Sequence, residues 1–371
     1  METFDTVAYE RIVVLGTGGT IAGLAQRPNR PDDYRAAQLS VAQLVGTLQT
    51  EDLLPSESEQ VAQIDSKDMD HATLRALALR VAHHLARPAV RGIVITHGTD
   101  TIEESAYFLQ QILVPTKPVV LTCAMRPANA ADADGPGNLA DALRVAWSSA
   151  AVVAVVCAGT VHAAYAVRKV HATRLDAFSS EPALPLGHVA HGEVSWRLNV
   201  PFALTPPTLN AIKFIAKQPV SAWPRVEIVT SHAGASGAVV DALLTQATGA
   251  PPSDDNPAGG IAPTRLPIPA TASPLRGLVV VATGNGTVHR CLEAALRRAS
   301  DRGVRVLRAL RCEADAESGT PAQPATDVVT SVTDIGNHRQ HVGDTTTLPP
   351  AKARIGLMLR LMAEAHDSSK E

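Results

Sequence analysis

The run Arg11-Ile12-Val13-Val14-Leu15 stops abruptly in Gly16-Thr17-Gly18-Gly19-Thr20-Ile21-Ala22-Gly23, and no other stretch of the chain restricts its fold as much. An apolar, β-branched run closed by glycines reads as a buried strand entering a tight turn. The glycines allow positive φ and a close approach of backbone to a ligand. The turn is not a nucleotide loop. After Gly16-x-Gly18 the dinucleotide fingerprint requires a third glycine where this chain has Ile21. A phosphate loop requires Gly-Lys-Ser/Thr, and the first lysine of the chain is Lys67. What remains is a turn at a strand end that carries two hydroxyls, Thr17 and Thr20. That is a place for a nucleophile.

Further strands are expected at Ile12–Leu15, Gly92–Thr96, Val119–Cys123 and Ala151–Cys157, with helical spacing at Thr73–Leu85, Ile102–Leu113 and Leu139–Ser149. Strand–helix alternation predicts an α/β domain with a mainly parallel sheet, whose ligands sit at strand carboxyl ends near a switch in strand order. A second series follows at Val226–Val229, Ala238–Leu244, Leu278–Ala282, Val288–Arg298 and Val304–Leu310, and the helical pattern Ala351–Ala365 comes last. The chain is too long for one ordinary core. The expectation is an α/β protein of two domains. A larger N-terminal domain with a mainly parallel sheet flanked by helices spans 1–200. A proline-punctuated linker follows at 201–221, then a smaller C-terminal α/β domain at 222–371. Residues 249–274, rich in proline and glycine, read as an exposed loop.

Apolar content of 45% and a formal charge of -3 describe an ordinary globular chain without the basic stripe of a nucleic-acid binder. No apolar stretch reaches the ~20 residues of a membrane span. The acidic start, Met1-Glu2-Thr3-Phe4-Asp5, lacks an export signal, so the expected compartment is cytoplasmic. Cys123, Cys157, Cys291 and Cys312 lack CxxC spacing, which points to no zinc site and no disulfide framework. Cys123 and Cys157 close apolar runs and are expected to be buried thiols.

The second motif is Thr96-His97-Gly98-Thr99-Asp100-Thr101-Ile102-Glu103-Glu104-Ser105. Thr101 with Glu104 three residues on has the form of a capping box. That leaves Thr99 and Asp100 unexplained. Asp100 near a helix N-terminus is favoured as the anion and can pair with a lysine or a ligand ammonium.

Together the two motifs resemble the bacterial-type L-asparaginase family, which includes glutaminase-asparaginases. Gly18-Gly19-Thr20-Ile21-Ala22-Gly23 is similar to its first signature, and Thr96 to Thr101 with Glu103-Glu104 to its second. Ala124-Met125-Arg126-Pro127, Ala133-Asp134-Gly135-Pro136 with Asn138-Leu139, and Gly284-Asn285-Gly286 add to the resemblance, which covers almost the whole chain in order. It implies hydrolysis of the side-chain amide of L-asparagine to L-aspartate and ammonia, with no metal and no organic cofactor.

By position, the resemblance implies Thr20 as nucleophile, forming an acyl-enzyme that water hydrolyses. It implies Tyr34, in Pro31-Asp32-Asp33-Tyr34-Arg35, as the group assisting removal of the Thr20 proton. Thr99, Asp100 and Lys169 form the second catalytic group. Ser66 and its neighbours Asp65 and Lys67 fall at the substrate, with Ser66 on the α-carboxylate and Asp100 on the α-ammonium. His97 is assigned packing or support. Asn285 is implied to reach substrate from a partner subunit, so a homodimer or homotetramer is expected.

Two positions depart from the family pattern. Lys67 stands where the family commonly has glutamine; a cation there repels a substrate ammonium or pairs with the substrate carboxylate or with Asp100. The acidic residue usually supplied after Arg308-Ala309-Leu310-Arg311 has two candidates, Glu313 and Glu317. Lys67 motivates two alternatives beside asparagine hydrolysis. One is a glutaminase or other ω-amidase of the same chemistry; the other is a non-catalytic asparagine-binding sensor. The related transamidosome subunit usually carries an additional N-terminal domain, for which the strand at Ile12 starts too early.

Overall fold

The computed structural model describes residues 10–27, 33–48, 54–113, 115–148, 150–197, 211–246, 274–311 and 342–367. The expected loop at 249–274, apart from Pro274, lies outside the described residues, as do Glu313, Glu317 and Cys312. The chain divides into two compact units, the first spanning Met1–Val220 and the second beginning at Ser221.

The first unit contains, in order, β1 (Arg11–Gly18), β2 (Leu24–Ala25), β3 (Tyr34–Arg35), α1 (Val41–Val45), β4 (Ser56–Ile64), α2 (His71–Leu85), β5 (Val90–Thr96) and α3 (Ile102–Ile112). It continues with β6 (Val119–Thr122), α4 (Gly135–Trp147), β7 (Val153–Cys157), β8 (Thr160–Ala163), β9 (Arg168–Lys169), β10 (Phe178–Ser179), β11 (Gly187–Ala190), β12 (Glu193–Trp196) and α5 (Ala211–Lys217). Eight strands form one sheet in the order β12-β11-β8-β7-β6-β5-β1-β4. The five strands from β4 to β7 run parallel, and β8, β11 and β12 extend the sheet by antiparallel pairing.

The central strands are fully buried, Ile12 to Leu15 and Ile93 to Ile95 among them, as parallel strands covered on both faces must be. Alternation divides them between two faces. Ile12, Val14, Val94 and Val120 join α1 and α4 in one apolar cluster, while α2 and α3 pack on the other face. From β1 the chain steps outward to β4, then returns past β1 to β5, so strand order reverses at β1. That reversal opens a crevice at the carboxyl ends.

The crossovers through α2 and α3 both move towards β7 on one face of the sheet. The β6–α4–β7 crossover moves the same way on the opposite face. Its hand is therefore opposite to theirs, an exception to the rule that such crossovers are right-handed.

Strand β4 has no apolar run; it reads Ser-Glu-Ser-Glu-Gln before Val61. It is the outermost strand, and its carboxylates meet cations from α2. Glu59 contacts Arg80 and, at 2.9 Å, His84, while Glu57 contacts Arg87. Those cations hold both carboxyls below the usual carboxylate range. Helix α4 starts at Gly135, ahead of the expected Leu139, because Asp134 precedes it and Pro136 fits the first turn. Within the expected linker, residues 211–217 form a helix instead. Ile215 is buried and Arg75 of α2 donates to the carbonyls of Ile215 and Ala216 at 3.0 and 2.6 Å, which packs this part onto the first unit.

The second unit holds β13 (Arg225–Thr230), α6 (Ala238–Gln246), β14 (Leu275–Ala282), α7 (Arg290–Asp301), β15 (Arg305–Leu310), β16 (Asp344–Thr346) and α8 (Pro350–Asp367). Its four strands are parallel and lie in sequence order. Helices α6 and α7 share an apolar cluster with the sheet, and α8 packs against β13, β14 and β15. Among the described residues, no helix is long and apolar enough to cross a membrane.

Candidate active site

Three neighbouring strand ends build the site. After β1, Gly18 and Gly19 take φ of 104° and 79°, and the chain enters a 3-10 turn over Thr20–Ala22. After β4 it makes another over Ser66–Asp68. After β5 it runs through His97 to Thr101 into α3. These turns touch through backbone: the Gly19 N–H donates to Ile64 O at 2.8 Å, and a Cβ on Gly19 would lie 2.3 Å from the Gly98 Cα. Only glycine fits that approach.

The two hydroxyls of the first turn separate. Thr17 is buried and donates to the Thr96 carbonyl at 2.9 Å, a structural tie between β1 and β5. Thr20 turns its Oγ1 to the Tyr34 hydroxyl, 2.8 Å away. Tyr34 lies in the short β2–β3 ribbon, with its ring against Gly23, where a Cβ would approach Cδ2 to 2.9 Å. The connection leaving β6 supports this turn. Ala128 N–H donates to Gly23 O at 2.8 Å, and the Asn129 side chain bonds both the N–H and the carbonyl of Ala25 at 2.8 and 2.9 Å.

Lys169, on β9, donates from Nζ to Thr99 Oγ1 at 2.7 Å and to Asp100 Oδ1 at 2.8 Å. Thr99 is buried, whereas about half of the Asp100 side chain faces solvent. Ser66 is buried between the second and third turns: its Oγ accepts the Asp100 N–H at 3.2 Å and its carbonyl accepts the Thr101 hydroxyl at 2.7 Å. The expected capping box at Thr101 does not form, because that hydroxyl is engaged by Ser66 and makes no cap bond to α3. This link between Thr101 and Ser66 had no signal in the sequence.

His97 is fully buried. Its Nδ1 lies 2.8 Å from Gly98 O and its Nε2 2.9 Å from Ser105 Oγ. A carbonyl can only accept, so Nδ1 carries the proton and the Ser105 hydroxyl donates to Nε2. Burial drives its pKa down to about 4, so the ring is neutral at ordinary pH.

Lys67 does not pair with Asp100. Its ammonium bonds Asp65 at 2.7 Å and Asp68 at 3.1 Å with 61% of its side chain exposed, and the two carboxylates raise its pKa. Asp65 also accepts the Lys67 N–H at 3.4 Å. The other motif residues are supports. Asp134 accepts the N–H groups of Met125 and Arg126 at 2.9 Å each, and Asn138 joins Cys123 O to the Ala158 N–H. Cys123 and Cys157 are free, buried thiols, and burial beside Cys157 pushes Cys123 well above the ordinary thiol range. Asn285 lies exposed in the second unit, in the turn that follows β14.

Among the described residues no three His, Cys, Asp or Glu side chains gather as a metal-ligand set. The first unit thus presents two threonine hydroxyls, each with its own partner. One pairs with a phenol, and the other is polarised by an ammonium that also bonds a carboxylate. Such an arrangement suits nucleophilic attack by an alcohol and stabilisation of an oxyanion.

Residues 11–201 match the family described as "Asparaginase, N-terminal", and residues 225–370 match "Glutaminase/Asparaginase C-terminal domain". An "L-asparaginase 2" of Bacillus subtilis is 29% identical over 94% of this chain and 82% of the relative. A "Glutaminase-asparaginase" of Pseudomonas fluorescens is 32% identical over 80% of this chain and 74% of the relative. A solved structure of a "Probable Cytoplasmic L-asparaginase" from Campylobacter jejuni superposes with a TM-score of 0.73 at 30% identity, covering 95% of each chain.

Proposed function

The chain belongs to the asparaginase family, and from that membership we propose that it hydrolyses the side-chain amide of L-asparagine to L-aspartate and ammonia through an ester on Thr20. The observation that carries the reading is the 2.8 Å pair of Thr20 Oγ1 and the Tyr34 hydroxyl, beside the Lys169–Thr99–Asp100 group. Thr20 Oγ1 attacks the amide carbon while its proton passes to the Tyr34 oxygen. The carbonyl oxygen becomes an oxyanion facing hydrogen-bond donors of the glycine-bounded turns. Collapse of the adduct returns a proton to the nitrogen, expels ammonia and leaves an aspartyl ester on Thr20. Water, oriented at Thr99 against the Lys169 ammonium, attacks the ester carbon; aspartate leaves and Thr20 regains its proton.

Ser66 supports recognition of the substrate. Its Oγ accepts the Asp100 N–H and keeps its own proton to donate to the α-carboxylate, while Asp100 Oδ2 faces the α-ammonium. Asn285 is proposed to reach the same substrate from a neighbouring subunit of a homo-oligomer. A cytoplasmic location is supported by the free, buried Cys123 and Cys157, which suit a reducing compartment.

Ammonia release with asparagine and glutamine, assayed side by side, tests the reading. Thr20→Ala and Lys169→Met are each expected to abolish turnover, and Tyr34→Phe to lower kcat by about 10²–10⁴-fold. Intact hydrolysis in both the Thr20 and Lys169 variants overturns it. A flat wild-type trace, with asparagine still raising the melting temperature, favours a sensor. Glutamine turnover is the second reading, supported by the Pseudomonas fluorescens relative. One methylene in a pocket is worth only about 1–3 kcal/mol, so discrimination rests on small contacts.

A further inference from the structure

Asn285 is an exposed side chain on a turn fixed far more firmly than exposure requires. Thr283 and Thr287 close the turn on each other: the Thr283 N–H donates to Thr287 O at 2.8 Å, the Thr287 N–H to Thr283 O at 3.0 Å, and their hydroxyls lie 3.1 Å apart. The Gly286 N–H adds a bond to Thr283 O at 3.1 Å. Gly284 and Gly286, on either side of Asn285, have φ of 48° and 102°, which places the asparagine at the apex.

Beneath the turn lies the guanidinium of Arg308, from β15, only 1% exposed. Its Nη1 donates to Gly286 O at 2.9 Å, its Nε to Val342 O at 2.9 Å, and its Nη2 to Glu293 Oε2 at 2.6 Å. Glu293, on α7, accepts the Val342 N–H on its other oxygen at 2.9 Å. A buried ion pair is a poor source of stability, since apolar residues of similar volume do as well. What a guanidinium supplies that they cannot is donors in a rigid fork. Here one prong of the fork ends on the carbonyl next to Asn285.

We propose that Arg308, held by Glu293, is a positioning residue that fixes the Asn285 turn for recognition of an amino-acid substrate. This rests on the reading that Asn285 contacts substrate in a neighbouring subunit. Arg308 touches no reacting atom. It sets where the Asn285 amide stands, so its loss acts on substrate affinity and leaves the chemistry of Thr20 alone. Lysine at this position keeps the charge but cannot reach three acceptors in one plane.

Steady-state kinetics on the full-length enzyme test this with Arg308→Lys, Glu293→Gln, Asn285→Ala and the Arg308→Lys/Asn285→Ala double variant, each checked for its thermal midpoint. Arg308→Lys is expected to raise KM for asparagine about tenfold, with kcat within about twofold of wild type. Glu293→Gln moves KM the same way by less, and the double variant is no worse than Asn285→Ala alone. If Arg308→Lys does not fold, Glu293→Gln and its double variant with Asn285→Ala carry the comparison. An unchanged KM in the folded charge-pair variant, or multiplication of its effect with that of Asn285→Ala, overturns the positioning role. A wild type silent on both amides, or Asn285→Ala with unchanged KM, overturns the underlying reading instead.

Discussion

Gly98 meets Ser66 so closely that a Cβ on the glycine would stand 2.4 Å from the serine Oγ. The same Oγ accepts the Asp100 N–H, so the glycine sets the seat of one proposed substrate contact and the path of the backbone leading to another. Gly98→Ala is expected to displace Ser66 and push the third turn away from Gly19. A shift of about 1 Å in a positioned group costs on the order of 10²-fold in rate, and overpacking costs about 1–3 kcal/mol. The check is kcat/KM for asparagine beside a urea melt. A folded Gly98→Ala enzyme of wild-type activity would refute this account of the contact.

His97 links stability to pH. Folded, it titrates at about 4; unfolded, near 6.5. Between those values the unfolded chain binds the extra proton, so stability falls as pH drops through this window and is whole above it. For this one group the loss by pH 4 is on the order of 3 kcal/mol. Urea midpoints measured from pH 7 to pH 4.5 are expected to fall less steeply in His97→Gln than in wild type. Parallel slopes would remove His97 as the cause.

Lys67 holds its ammonium against Asp65 and Asp68 beside the buried Ser66. Exposed pairs of this kind contribute little to stability and are screened by salt. Lys67→Gln is therefore expected to leave the melting temperature unchanged and to lower KM for asparagine severalfold, by removing a cation from the neighbourhood of the substrate ammonium. The wild-type KM is expected to respond to added salt more than that of the variant. An unchanged KM and salt response would show that the two aspartates already neutralise the lysine.

The parts of the fold that were readable from sequence are those in which burial writes itself as an apolar run. Ile12–Leu15, Val119–Leu121 and Val153–Val156 lie in fully enclosed parallel strands, and composition alone reveals such strands. Strand β4 escaped because its Ser-Glu alternation serves an edge paired with Arg80 and Arg87, not a core. Of the site, the two glycine-threonine motifs stood out in the sequence, and Thr20 and Thr99 lie in them. Lys169 is in a two-residue strand, and its neighbours carry no periodicity that points to Thr99. Thr101 was misread because a hydroxyl near a helix start has two uses, and only the approach of Ser66 decides between them.

The β6–α4–β7 crossover also bears on time. Its connection brings Asn129 back to Ala25, a link between residues 104 apart in sequence. The ribbon that carries Tyr34 is thus anchored by a part of the chain beyond β5, α3 and β6. Contacts of such long separation close late, because the entropy of ordering the intervening chain must be met first. Secondary structure and catalysis should accordingly return on separate clocks after dilution from urea, with far-ultraviolet circular dichroism recovering ahead of ammonia release. In Asn129→Ala the interval lengthens, and a cell making this protein would hold folded but inactive chains before it held an enzyme.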